Sequence, residues 1–305
     1  MDILPAVLHT LPLLLLVSAA EPAPVLTWVP FDISIVPPVN IFHPERKLIG
    51  GFSLNLGAGA TAALVGVEVG LVYNRVDEWL VGLRGAAVMN GGAGTRYGIE
   101  AAFVGNLGGH ASGVAVAGLF NHYDGAGGGI YVAGLWNTGG SVYGIQVSLF
   151  QNAIRDEGVA LQVGVLNFAQ GALIDFDVIS SLAEGNLPDA RPDYGLAGIQ
   201  LGLIANGARN FSGIRIAPLN ASVLRMSGLE FGLFNWNGRG ALLASGEIPA
   251  SGGLMVGAVN ASASFSGVQI GLVNMTRRLR GLQLGLVNLN WEGLVPILPL
   301  LNLGW

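Results

Sequence analysis

Residues Ser266 to Asn288 read SGVQIGLVNMTRRLRGLQLGLVN, and the stretch holds one phrase twice. Gly267-Val-Gln-Ile-Gly-Leu-Val-Asn274 returns fourteen residues later as Gly281-Leu-Gln-Leu-Gly-Leu-Val-Asn288. Side chains alternate within each copy with period two, the signature of a strand. One face carries Val268, Ile270 and Leu272, and the other carries Gly267, Gln269 and Gly271. The closing Asn is read as the end of the strand and the start of a turn, because Asn tolerates left-handed backbone.

The phrase recurs along the chain. Copies open at Gly66, Gly82, Gly98, Gly113, Gly129, Gly144, Gly158, Gly198, Gly213, Gly228, Gly253, Gly267, Gly281 and, degenerately, Gly293. Most lie 14 to 16 residues apart. The second position of every copy is aliphatic. The third is long and polar in nine, giving a row of Glu68, Arg84, Glu100, Gln146, Gln200, Arg215, Glu230, Gln269 and Gln283. The turn asparagines are Asn74, Asn90, Asn106, Asn121, Asn137, Asn206, Asn220, Asn235, Asn260, Asn274 and Asn288. Linkers such as GGAGTRY and TGGSVY are rich in turn formers.

The organisation that follows has three parts. Residues 1–20 form an export signal: Ile3 to Val17 is strongly apolar and ends in the small residues Ser18-Ala19-Ala20. Residues 21–65 hold two candidate strands, Thr27 to Val36 and Lys47 to Leu56. Residues 66–305 are the repeat domain, broken by a loop insert at 168–197 and a smaller one at 236–252.

Composition narrows the setting. Of 305 residues 51% are hydrophobic and only 11% charged, against about 25% charged in ordinary soluble domains. Mean hydropathy is +0.58 and glycine numbers 48. The chain has no cysteine, which excludes disulfides, thiolate metal sites and a thiol nucleophile. Net charge is −5, and the largest basic cluster is Arg277-Arg278-Leu279-Arg280, so no nucleic-acid partner is expected.

The opening VPFDISIVPPVN, the tandem GVQIGLVN and GLQLGLVN units and the closing PILPLLNLGW resemble bacterial surface repeat-containing proteins. The resemblance implies export and a location at the outer membrane or cell surface. It brings no catalytic residues.

Two architectures fit an all-β chain of ~15-residue repeats. The favoured expectation is one strand per repeat, closing as an antiparallel outer-membrane barrel of about 16 strands. Its aliphatic positions would meet outer-membrane lipid, and the polar row would line the lumen with alternating charges that satisfy one another. The alternative is a β-solenoid with one repeat per coil, aliphatic residues stacked inside, a corner ladder of Asn, and the polar row on the outer face. A structural, surface or pore-like role goes with the barrel, and a surface module binding a partner or envelope component goes with the solenoid. The protein or glycan partner is unspecified.

Catalysis finds little support. No His lies on a repeat strand, so a Ser/His pair cannot form on the scaffold, and no enzyme activity is expected. His110, His122 and Asp124 sit in successive linkers, where a loop metal site is conceivable, but exposed loop residues account for them. His43 has the same explanation. NGGAGTRYG lacks the Gly-Lys-Ser/Thr ending of a phosphate loop. No cofactor or metal is expected.

Overall fold

The computed structural model describes residues 26–36, 39–40, 47–169, 195–238 and 250–305. The export segment, His43 and most of both inserts lie outside these residues. The described chain is all-β, and it is a β-solenoid rather than a barrel. Each repeat is one coil that lies flat on the next.

The pairing shows why. Gly66-Val67-Glu68 lies in parallel register on Gly82-Leu83-Arg84, which lies on Gly98-Ile99-Glu100. Asn121 likewise pairs with Asn106 on one side and Asn137 on the other. A barrel would set neighbouring strands antiparallel, bringing the start of one phrase against the end of the next. Like positions of the repeat then could not touch. Among the described residues antiparallel pairing occurs only at the two ends of the stack, where Thr27–Val36 meets Val39–Asn40 and Ser251–Asn290 meets Ile297–Gly304. These end strands cover edges that an unfinished coil would leave open.

The expectation of one strand per repeat is also corrected. A coil contains two strand segments on opposite sides of the interior, as in Thr95–Ala102 with Gly105–Gly108, or Gly127–Ala133 with Trp136–Gly139. A bend through residues such as Phe103-Val104 separates them. A second bend, in the linker, leads to the next coil.

Left-handed backbone belongs to the opening glycine and not to the closing Asn. Gly213 has φ +139 and Gly228 φ +134, whereas no repeat Asn has a positive φ. A Cβ on Gly213 would strike the carbonyl oxygen of Gly198 in the coil beneath. Both conditions demand glycine. At one coil the column holds Ala160, which pairs with Gly144 and Gly198. The repeat at 158 therefore begins two residues later than the phrase suggests. Gly158 falls in a different column, and Gln162 joins the polar row.

The largest correction concerns inside and outside. The polar row and the asparagines are buried, and the aliphatic alternation points outward. A separate interior column is mainly apolar: Leu64, Leu80, Val142, Leu196, Phe211, Met226, Phe265 and Leu279 are buried at about the same place in their coils, and the buried Arg96 interrupts it between Leu80 and Ala111. Phe211 pairs in register with Met226, and Leu64 with Leu80. The hydrophobic core is thus one strip of the interior. Amides and a few charges fill the rest.

The glycine column supplies a paired test. Gly213→Ala combines a forbidden φ with a backbone collision, and we expect a loss of about 3 kcal/mol or more. Gly85→Ala, where an added Cβ meets nothing within 4 Å, should change stability by less than about 1 kcal/mol. Urea denaturation midpoints of the two variants check both values.

Candidate functional site

The feature that organises the interior is a ladder of side-chain amides. Starting at Asn55, the Nδ2 of each Asn donates to the Oδ1 of the Asn in the next coil. The run passes through Asn74, Asn90, Asn106, Asn121, Asn137, Asn152, Asn167, Asn206, Asn220, Asn235, Asn260 and Asn274 to Asn288. These distances fall between 2.7 and 3.1 Å. From Asn74 to Asn274 the second amide hydrogen reaches a backbone carbonyl of the next coil, as Asn260 does to Ile270 at 2.9 Å and Asn274 to Leu284 at 2.9 Å. An amide carries donors and an acceptor together, so identical neighbours satisfy one another, and burial incurs little loss. Glycine makes the room. A Cβ on Gly271 would lie 2.7 Å from Asn260 Nδ2 and 3.1 Å from Asn274 Oδ1.

At the first rung the spacing differs. Gly59 holds the Asn position opposite Asn74, and Asn55, four residues upstream, fills the vacated space. It donates to Asn74 Oδ1 at 2.7 Å and to Glu68 Oε1 at 2.9 Å. Asn152 and Asn167, which end sequence copies, belong fully to the ladder.

The polar row stacks beside the ladder and is sealed. Glu68, Arg84 and Glu100 pair in successive coils, as the alternation of charge predicts. Arg84 Nη2 donates to Glu100 Oε1 at 2.5 Å and Nη1 to the Gly91 carbonyl at 2.9 Å. Arg96 lies 3.3 Å from the same carboxylate, and Tyr123 donates to its other oxygen at 2.8 Å. Further along, Arg215 is hydrogen-bonded to Glu230, and it donates to Ser222 Oγ at 2.6 Å and to the Ala221 carbonyl at 2.8 Å. Between the charge pairs Ala115 and Tyr131 lead to an amide run in which Gln162 donates to Gln146 and Gln200 to Gln162, and beyond them Gln283 donates to Gln269, at 2.7 to 2.9 Å. The row is neither a lumen lining nor an outer face. It is core.

Burial leaves its mark on these groups. It pushes the Arg96 guanidinium down, opposed by Glu100, and pushes Arg215 down, opposed by Glu230. The Tyr123 hydroxyl is driven well above its ordinary value, first by burial and then by the Glu100 charge. Tyr131 shifts the same way for the same reasons. Such perturbed groups mark active sites where they line an accessible cleft. Here they are enclosed between coils, and the perturbation is structural.

One side of the outer surface is apolar. The residue after each column position is aliphatic in thirteen coils running from Val67, Leu83 and Ile99 to Leu254, Val268 and Leu282, and these side chains point outward. Leu83 and Ile99 are each 48% exposed. Where this sheet bends towards the Asn strand, a ridge of Leu71, Phe103, Leu149, Leu203, Leu233, Leu272 and Leu286 projects further, at 55 to 78% exposure. Ionic groups gather at the opposite bend. There Asp124 meets Arg155 at 2.9 Å, and Arg277 and Arg278 share Glu292 of the terminal loop at 2.7 and 2.9 Å. Both Asp124 and Glu292 titrate below the ordinary carboxylate range, chiefly through hydrogen bonds from these arginines.

His110 and His122 lie on strands, His110–Ala117 and Phe120–Tyr123, and not in the linkers expected for them; His122 is bonded to Thr138 at 2.5 Å and lies 3.2 Å from Asp124, itself engaged by Arg155. A guanidinium in this cluster repels a metal cation. Among the described residues no group of three or more His, Cys, Asp or Glu could hold a metal, and no helix is long and apolar enough to cross a membrane.

No family model, curated protein or solved structure matches this chain.

Two outcomes test the interior. Asn220→Ala removes rungs to Asn206 and Asn235 at 3.1 and 2.9 Å and strands the Phe231 carbonyl, so we expect a loss of about 2–4 kcal/mol in chemical denaturation. The second is alkaline. A tyrosine whose folded pKa is raised contributes stability fully below the ordinary value near 10, and that contribution is lost as pH climbs above it. The protein should therefore unfold cooperatively above about pH 10, with the Tyr123 and Tyr131 tyrosinate absorbance appearing only in step with the loss of β-sheet circular dichroism. Tyrosinate absorbance completed before the fold is lost would show these hydroxyls to be accessible.

Proposed function

We propose that this protein is a non-enzymatic, exported module of the bacterial cell envelope, built as a β-solenoid that docks lengthwise through its outer apolar surface against an envelope component. One observation carries the reading: the Glu, Arg and Gln row and the Asn ladder are enclosed, and what the same strands turn outward is an aliphatic sheet with an apolar ridge, the exposed ionic groups standing apart from it towards the opposite bend. A pore-like role has no support, because side chains fill the interior. The apolar leader at Ile3 to Val17 and the resemblance to surface repeat proteins support export.

The size of the surface fits a lengthwise contact. Thirteen coils at ~4.8 Å spacing give a face on the order of 60 Å long. Single exposed apolar residues are ordinary, whereas contiguous patches beyond a few hundred Å² mark interaction sites. A water-facing solenoid would carry its charges here.

The test is the double variant Ile99→Lys/Ile130→Lys. Both sites lie outside the packed interior, at 48% and 41% exposure, so stability should shift by no more than about 0.5 kcal/mol per site. We expect the native protein to fractionate with the envelope and the folded double variant to be released. Retention of the folded variant in the envelope fraction would refute a docking role for this face.

A further inference from the structure

We infer that the component covering the apolar face is a lipid surface, on which the solenoid lies with its ridge inserted among acyl chains. The inference rests on the docking role proposed above and names its partner.

Charge distribution is the first argument. Neither the outward aliphatic columns nor the ridge formed by Leu71, Phe103, Leu149, Leu203, Leu233 and Leu272 contains an ionic residue in any described coil. The ionic groups stand at or towards the opposite bend, where Asp77, Asp124, Arg155 and Arg225 are exposed; the nearest approach to the face is Arg280, which precedes the outward Leu282 at the bend-side margin of a single coil. This is the sidedness of an element lying in a membrane interface, apolar on one side and charged on the other. The second argument is shape. Sheet face and ridge meet at a corner, so the apolar surface turns through two directions. A second copy pressed flat on the sheet would leave the ridge in water, whereas acyl chains deform around both. The extent agrees: about 60 Å by roughly 20 Å exceeds the ~800 Å² that one partner contributes to a standard protein interface.

Backbone chemistry is the third. Polar groups cannot be left unpaired against hydrocarbon, which excludes open sheet edges from lipid. Here the hydrogen bonds of the face run from coil to coil, so the surface offered to lipid has its N–H and C=O groups paired within the stack. The edges lie at the two ends of the solenoid, where the antiparallel end strands sit. The chain rests along the layer and does not cross it.

Absence of cysteine provides a clean experiment, since a single introduced thiol is the only labelling site. Full chain isolated from the envelope is labelled with an environment-sensitive fluorophore at Leu203→Cys on the ridge or at Arg225→Cys on the ionic bend. It is then mixed with phosphatidylethanolamine/phosphatidylglycerol vesicles without detergent. We expect flotation with the vesicles that persists at high salt, because the aliphatic columns and the ridge carry no charge to be screened. The label at 203 should shift to the blue and the label at 225 should not. Leu203→Asp/Leu233→Asp should weaken vesicle binding at least ~10-fold, and because it leaves the leader untouched it separates the ridge from any anchoring by residues 3–17.

Other results overturn the inference in distinguishable ways. Failure to float, with envelope association still abolished by Ile99→Lys/Ile130→Lys, would leave the docking role standing and assign the face to a protein or glycan. Failure to float with a concentration-dependent dimer in sedimentation, lost in the Leu203→Asp/Leu233→Asp variant, would assign it to a second copy. Flotation lost at high salt, or a shift at both label positions, would place lipid elsewhere on the molecule.

Discussion

Everything in this fold depends on the requirement that one side-chain amide meet an identical amide one coil away. Asn can meet it because its donor and acceptor lie at fixed separation on one planar group, so a stack of Asn satisfies itself indefinitely. The requirement dictates parallel, in-register coils, since any other arrangement would bring unlike positions together. It dictates the small residue opposite, because Gly257, Gly271 and Gly285 open the space that the amides occupy. It even tolerates a coil whose own chain lacks the residue. At Gly59 the amide of Asn55 enters from upstream and keeps the run unbroken.

The neighbouring polar row shows what the same geometry does with other groups. Amides run homotypically there too, from Gln146 through Gln162 to Gln200. Charges cannot, because like charges a strand spacing apart repel in a dry interior. They appear only against their opposites, Arg84 on Glu100 and Arg215 on Glu230, with neutral groups such as Tyr123, Ser222 and the Gly91 carbonyl adding further hydrogen bonds while the Nε of both arginines stays without one. A buried ion pair of this kind is weak evidence of added stability, since desolvation offsets much of the attraction. Removing either partner would strand a charge, and that makes the pairs specific to their coil. Within an otherwise interchangeable stack, they distinguish one register from another.

Much of this was legible in the residues, and the misreadings have physical causes. The period, the all-β class, the strand at Thr27 to Val36 and the complementary charges of Glu68, Arg84 and Glu100 could all be read directly. Which side of the alternation faced inward could not. Hydropathy assigns Val268, Ile270 and Leu272 to the core, because it scores residues singly and has no measure of an amide satisfied by its own copy. The Asn looked like a turn residue for the same reason, since a lone Asn at a strand end usually is one. The signal that decides the matter is identity: every copy of the phrase closes on Asn, although its distance from the opening glycine varies. A turn tolerates substitution by Gly, Asp or Ser, whereas a ladder admits only the amide. The register error at Gly158 arose because glycine serves two interior columns, and only the coil-to-coil pairing of Ala160 separates them.

An interior that specifies the fold through Asn, Gly and Gln leaves the exterior nearly unconstrained. Outward positions of a parallel stack need only suit extended backbone, and Thr, Tyr, Lys or Glu would serve at a difference of about 1 kcal/mol or less. Even so, the first outward column is Val, Leu or Ile in each of thirteen coils, and the ridge beside it is built mainly from Leu and Phe. In a solenoid with an apolar core, an aliphatic column explains itself by packing. Here packing makes no such demand, because among the described residues no other layer covers these side chains. The uniformity has to answer to something outside the fold. Water cannot supply the reason, as it favours the substitutions that are missing. What remains is an apolar medium or partner that runs the length of the stack, and the corner where sheet meets ridge sets its shape.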